Sequence, residues 1–158
     1  MRRRVSERIA SAVSVAPHGI RAVTAALDGS SAVVEVSTAL TGTADSVTYE
    51  LADAEGQVLA TAEGLGTVQL AANGITPWTP ETPALYTLRV TVTANGTADT
   101  AEQRIGIRTI QVSSKTGLLL NGQPRTMKGG CIHHDLGILG AAAHAAAERR
   151  RIRLMKES

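Results

Sequence analysis

Between residues 20 and 112 apolar and polar side chains alternate in short runs, and Gly, Asn or Asp closes each run. In YTLRVTVT, Tyr86, Leu88, Val90 and Val92 share one face while Thr87, Arg89, Thr91 and Thr93 share the other. That period of two marks a half-buried strand. VTYEL repeats it with Val47, Tyr49 and Leu51 inward; SAVVEVS does so less cleanly, because Val33 places an apolar residue on the polar face. DAEG at 53–56, ANG at 72–74 and ANGT at 94–97 supply the residues that tolerate left-handed backbone in tight turns. Roughly seven to nine such strands over about 95 residues, with a turn signal about every 8–12, predict an antiparallel immunoglobulin-like β-sandwich. A Cys…Trp…Cys spacing is lacking, which excludes an antibody-type domain. Val34, Val36, Tyr49, Leu51, Leu85, Leu88, Val90, Ile105 and Ile107 are expected to supply much of the core.

After Val112 the pattern changes. SSKTG is a linker-like break, LLLNGQP predicts a short strand running into an Asn121-Gly122 turn, and RTMKGGCIHH predicts a further strand ending in polar residues. The Ala-rich stretch that follows predicts a helix over about 140–156, with Ala141, Ala145, Ile152 and Met155 in one stripe at ~100° per residue and Glu148 in its middle. A strand followed by a helix is half of a βαβ unit, so this part looks like the start of a further domain.

Composition changes the picture in two respects. The chain has 158 residues, no Phe, one Trp and two Tyr, so its core has to be aliphatic. The basic pI resides at the two ends: residues 1–10 and 148–158 are each net +3, whereas 11–147 carries seven basic and eleven acidic side chains. A body of that sign offers no phosphate-tracking surface, and nucleic acid is not an expected partner. No segment approaches the ~20 apolar residues of a membrane span, and the N-terminal stretch has no continuous apolar run of signal-peptide length before Pro17. With one cysteine there is no internal disulfide framework. These features together lead to an expected cytoplasmic chain without a membrane partner.

Three stretches then carry a resemblance. PWTPETPALYTLRVTV (77–92), RIGIRTIQV (104–112) and LLLNGQPRTMKGGCIHHDLGILGA (118–141), in this order and spacing, resemble the family 2 glycoside hydrolases, the β-galactosidase, β-glucuronidase and β-mannosidase group, with the last stretch most like a β-galactosidase-like branch. The resemblance covers residues 15–156. It implies an N-terminal extension at 1–14, an immunoglobulin-like β-sandwich at 15–112, and at 113–158 the first β-strand and first α-helix of a truncated (β/α)₈ barrel. It further implies retaining hydrolysis of a β-glycoside by two carboxylates about 5 Å apart. In the family both belong to later barrel strands, so no catalytic residue is assigned here, no cofactor is expected, and the chain alone is expected to be inactive. Carbohydrate is the implied partner of the complete enzyme, with homo-oligomerisation left open. A free-standing β-sandwich carbohydrate-binding or protein-interaction module is the alternative.

The same resemblance places His133 at the C-terminal end of barrel strand 1, where a His reaches the sugar, with His134 and Asp135 beside it as further substrate contacts. Barrel active sites are built at that end. A metal is not expected: adjacent His133 and His134 on a strand point to opposite faces, and no second ligand set exists. Where the family usually has Asn and Arg, this chain has Cys131 and Ile132, and Cys131 is expected as a small buried strand residue. Trp78 could stack on a sugar, but packing beside Pro80 and Pro83 is the favoured reading. Arg149 to Arg153 are expected on a solvated outer helix face.

Overall fold

The computed structural model describes residues 13–133 and 135–158, so His134 and nearly all of the expected N-terminal extension lie outside the described residues. The chain divides into two compact units, the first ending at Arg125 and the second spanning Thr126–Ser158.

The first unit is a sandwich of two antiparallel sheets. β1 (Val15–Asp28), β2 (Ser31–Leu40) and β5 (Val68–Ala72) form one in the order β1-β2-β5. β3 (Ser46–Ala52), β4 (Val58–Glu63), β6 (Tyr86–Ala94) and β7 (Thr97–Ile105) form the other in the order β4-β3-β6-β7. The alternation in the sequence is what fills the space between them. Val47, Tyr49 and Leu51 of β3 sit directly opposite Val92, Val90 and Leu88 of β6, and all six are buried against Val34, Val36 and Leu70 of the facing sheet. Each fully buried aliphatic or aromatic side chain contributes about 1.5–3 kcal/mol relative to an exposed one. Asn95 and Gly96, both at positive φ (50° and 73°), close the β6–β7 hairpin between the paired Ala94 and Thr97, the two-residue turn whose twist suits a hairpin.

The immunoglobulin-like sandwich is thus the observed architecture, with two corrections to the expected core. Leu85 is only half-buried because inward positions in β6 are Tyr86, Leu88, Val90 and Val92, which puts residue 85 on the opposite parity. Ile105 is half-buried because it ends β7, an edge strand.

β8 (Ile110–Ser113), β9 (Gly117–Leu120) and β10 (Gln123–Pro124) form a small third sheet that belongs to the first unit. The Asn121-Gly122 turn is present, both residues at positive φ (50° and 74°). The first unit therefore runs past Val112, the point at which the alternating pattern of the sequence changes.

In the second unit a 3₁₀ turn covers Gly137–Leu139 and α1 covers Ala145–Glu157. Two expectations differ here. Residues 126–133 form no strand, because a barrel strand takes its ladder bonds from parallel neighbours, and no strand is present in this unit among the described residues. The helix starts later than residue 140: Gly140 is at positive φ (56°) and His144 is still extended at the N-cap. No residue of α1 is buried.

Candidate functional site

The segment preceding the candidate site is anchored by a clasp around Trp78. Tyr86 Oη accepts the Thr76 N–H at 2.7 Å, fixing the loop that carries the tryptophan. The Trp78 N–H donates to Ile107 O at 2.8 Å. Its ring lies so close to Gly106 that a Cβ added there would approach it to 2.8 Å, and the Arg108 guanidinium sits 4.8 Å from the ring centroid. Asn121 joins the hairpin to this point: its Oδ1 accepts the Thr109 N–H at 2.9 Å and its Nδ2 donates to Trp78 O at 3.1 Å. Arg125 closes the unit with a two-bond pair to Glu81, at 2.8 and 3.1 Å. The Glu81 carboxyl is held below its ordinary pKa by a backbone hydrogen bond first and by Arg125 second. Trp78 is therefore structural, as favoured from sequence, but its fixed neighbours are Gly106 and Arg108.

The residues expected to touch sugar lie in the second unit. The His133 and Asp135 side chains are both exposed. Their backbone is what the fold holds: Arg151 donates one guanidinium N–H to His133 O at 2.9 Å and another to Asp135 O, while the Asp135 N–H donates to His133 O at 2.8 Å. Glu148 stands 3.8 Å from the same guanidinium. Sequence reasoning missed this role. Arg151 was grouped with a solvated face, yet its side chain is only 20% exposed, and the signal available, Glu148 at i−3, is shared with countless surface pairs. Asp135 Oδ1 accepts the Gly137 N–H at 3.4 Å. Cys131 is exposed rather than buried, because its segment packs into no sheet. Among the described residues no group of three or more His, Cys, Asp or Glu could hold a metal ion.

One carboxylate pair deserves exclusion on geometry. Glu50 and Glu102 flank Arg89 in a single cross-strand row, at 3.2 and 2.9 Å from its guanidinium, on the exposed face of the four-stranded sheet. Arg89 is held more firmly protonated by Glu102 and then Glu50. An arginine shared by two carboxylates on an open, solvated sheet face makes a row of surface ion pairs, not an acid/base or nucleophile pair set about a substrate. They form a surface ladder pair, worth little in stability.

Comparison with known proteins agrees with this architecture. The family model for glycosyl hydrolases family 2 matches residues 18–108. The chain is 33% identical to a β-galactosidase of Bacteroides ovatus, an alignment covering 92% of this chain and 19% of that protein. Among solved structures, Lactobacillus rhamnosus β-glucuronidase is 36% identical and superposes with a TM-score of 0.76 over 87% of this chain and 23% of that one. A family 2 glycosyl hydrolase from Bacteroides cellulosilyticus is 29% identical, with a TM-score of 0.82 over 92% of this chain and 22% of that one. The chain spans about a fifth of the length of these relatives. With a family match running from the bulge in β1 through the Trp78 clasp, this chain belongs to glycoside hydrolase family 2.

Proposed function

We propose that this chain is the scaffold sandwich and the opening of the catalytic barrel of a retaining β-glycosidase of the β-galactosidase and β-glucuronidase group. On this reading residues 15–112 are the sandwich and 113–158 lead into the barrel. The observation that carries it is the family match over the sandwich, combined with a clasp that hands the chain on at Arg125. The two carboxylates of retaining hydrolysis come from barrel strands other than the first, so the 158 residues alone hydrolyse no glycoside.

His133 has the chemistry for a substrate contact. Its side chain is exposed while its backbone is tied by Arg151, which is how a donor is positioned without being consumed by the protein. In a water-poor site an imidazole N–H bonded to a sugar hydroxyl strengthens as charge develops in the transition state. Asp135 accepts from a hydroxyl in the same way, and His134 is assigned alongside them. An exposed lone cysteine suits a reducing compartment, and we place the protein in the cytoplasm.

The experiment is to assay the 158-residue chain beside a protein extended downstream of Ser158 by a complete barrel, on chromogenic β-galactoside, β-glucuronide and β-mannoside. Activity in the extended protein only, with kcat/KM falling about ten- to a hundredfold on His133→Ala, is expected. Turnover by the 158-residue chain that is lost on His133→Ala overturns the reading.

A further inference from the structure

The first unit has an open groove of about 580 Å³ running between β1, the end of β7 and the 106–111 segment. That size lies within the roughly 300–1,000 Å³ range of small-molecule sites. Its functional lining is Thr24, Gln103, Arg104, Arg108, Thr109 and Gln111, and no carboxylate lines it. This is out of character for a body carrying eleven acidic and seven basic side chains. Two other arginines of the sandwich are paired with carboxylates: Arg89 with Glu50 and Glu102, and Arg125 with Glu81. Arg104 and Arg108 have no carboxylate within ion-pair distance among the described residues.

Arg108 is also pre-positioned. Its guanidinium lies over Trp78, one of its N–H groups donates to Gly106 O at 3.3 Å, and its backbone N–H donates to Thr24 Oγ1 at 3.3 Å. A guanidinium held this way loses little further freedom on accepting an anion, and its fork matches a carboxylate bidentately. The amides and hydroxyls around it both donate and accept, which suits ring hydroxyls.

The geometry points to an acidic-sugar site: the groove binds a uronic acid residue of a glycan, its carboxylate on Arg104 and Arg108 and its hydroxyls on Thr24, Gln103, Thr109 and Gln111. The anionic half of the inference rests on the unpaired guanidinium groups, and the sugar half rests on the glycosidase reading above. A protein partner is disfavoured because interface cores are depleted in charge and rich in aromatic side chains, whereas among the described residues no aromatic lines this groove and Trp78 beside it carries Arg108 over its ring. The covered ring also leaves no stacking platform, so charge and hydrogen bonds have to discriminate.

The test is a titration of the isotope-labelled 158-residue chain, following the amides of Thr24 and residues 103–111 by NMR, with D-glucuronate, D-glucose and acetate as separate ligands. Saturable shifts with glucuronate, at least about tenfold weaker binding of acetate and of glucose, and about a tenfold or greater loss on Arg104→Ala are expected. The Arg104 side chain is exposed and makes no other described hydrogen bond or ion pair, and alanine keeps its backbone pairing with Thr87, so this variant leaves the fold intact. Arg108→Lys, which keeps the charge and removes the fork, is a second variant expected to weaken glucuronate. Glucose binding as well as glucuronate, acetate binding as well as glucuronate, no saturable shift, or an unchanged Kd in Arg104→Ala each overturns the site. The titration requires no turnover and the glycosidase assay requires no groove, so either reading can fail alone.

Discussion

Leu88 and Leu154 carry the same side chain into different surroundings: Leu88 is fully buried between two sheets, and Leu154 is 45% exposed on α1. The contrast holds for the two units as wholes. The sandwich encloses a continuous core from β1 to the segment after β7, while Ile138, Ile152 and Met155 of the second unit remain open. The difference lies in the partner surface and not in the hydrophobicity of the sequence. A strand that alternates brings half of a two-layer core, and six more strands within the same stretch bring the rest. A helix has to borrow its second layer from elsewhere. On α1 the half-buried positions are Ala147, Glu148 and Arg151, the last bonded to the His133 and Asp135 carbonyls, whereas Ala145, Ile152 and Met155, the stripe legible in the sequence, remain exposed. In an isolated helix of this length that stripe contributes nothing, because helix stability comes mostly from packing.

The sharpest way to probe the contrast is amide exchange. The β6 amides should exchange only through global opening and those of residues 142–156 through local fraying, a separation of several decades in rate if the sandwich has the usual 5–15 kcal/mol of stability. Comparable protection in both would show that the helix has found a partner, most simply a second copy of the chain. Next in size, Leu88→Ala should cost about 2–5 kcal/mol in urea unfolding, through lost burial and the cavity left behind, whereas Ile152→Ala should change the same curve by less than about 0.5 kcal/mol. Equal effects would break the comparison.

Gly106→Ala tests the clasp. The new methyl has to displace the Trp78 ring, against which it would lie at 2.8 Å, so a loss of about 1–3 kcal/mol and a change in tryptophan fluorescence are expected. Smaller still is a pH effect. Glu81 has a folded pKa below the ordinary glutamate value, so its pairing with Arg125 is fully present above that ordinary value and is lost as the pH falls through the folded pKa. Shifts of the β9 and β10 amides below about pH 4.5 should report this, and Glu81→Gln should abolish them. The smallest expected effect is Tyr49→Phe: the Tyr49 hydroxyl is buried without a hydrogen-bond partner among the described residues, so its removal should leave stability unchanged or raise it by up to about 1 kcal/mol. A loss above about 1 kcal/mol would show that the hydroxyl is satisfied.

Much of the sandwich was legible in advance because strand parity is set by covalent geometry. Once Leu88 faces inward, Val90 and Val92 must follow, and Leu85 must not. The Asn95-Gly96 and Asn121-Gly122 turns were legible for a similar local reason, since few residues accept the left-handed backbone that a tight hairpin requires. The candidate site was legible only through family resemblance. Nothing local distinguishes His133 from any other exposed histidine, and the residue that holds its backbone, Arg151, stands 18 positions away in an arginine run that looks like solvated surface.

By itself, then, the sequence determined which side chains face the core, where the chain reverses and which family pattern it follows, all of them properties of residues within a few positions of one another. Tertiary structure alone decided what meets across long separations. It set Arg108 on Trp78 and Trp78 on Gly106, tied Asn121 back to Trp78 and Thr109, and left Arg104 and Arg108 in a groove without a carboxylate. It also decided that residues 126–133 form no strand, because a ladder exists only when its neighbours do.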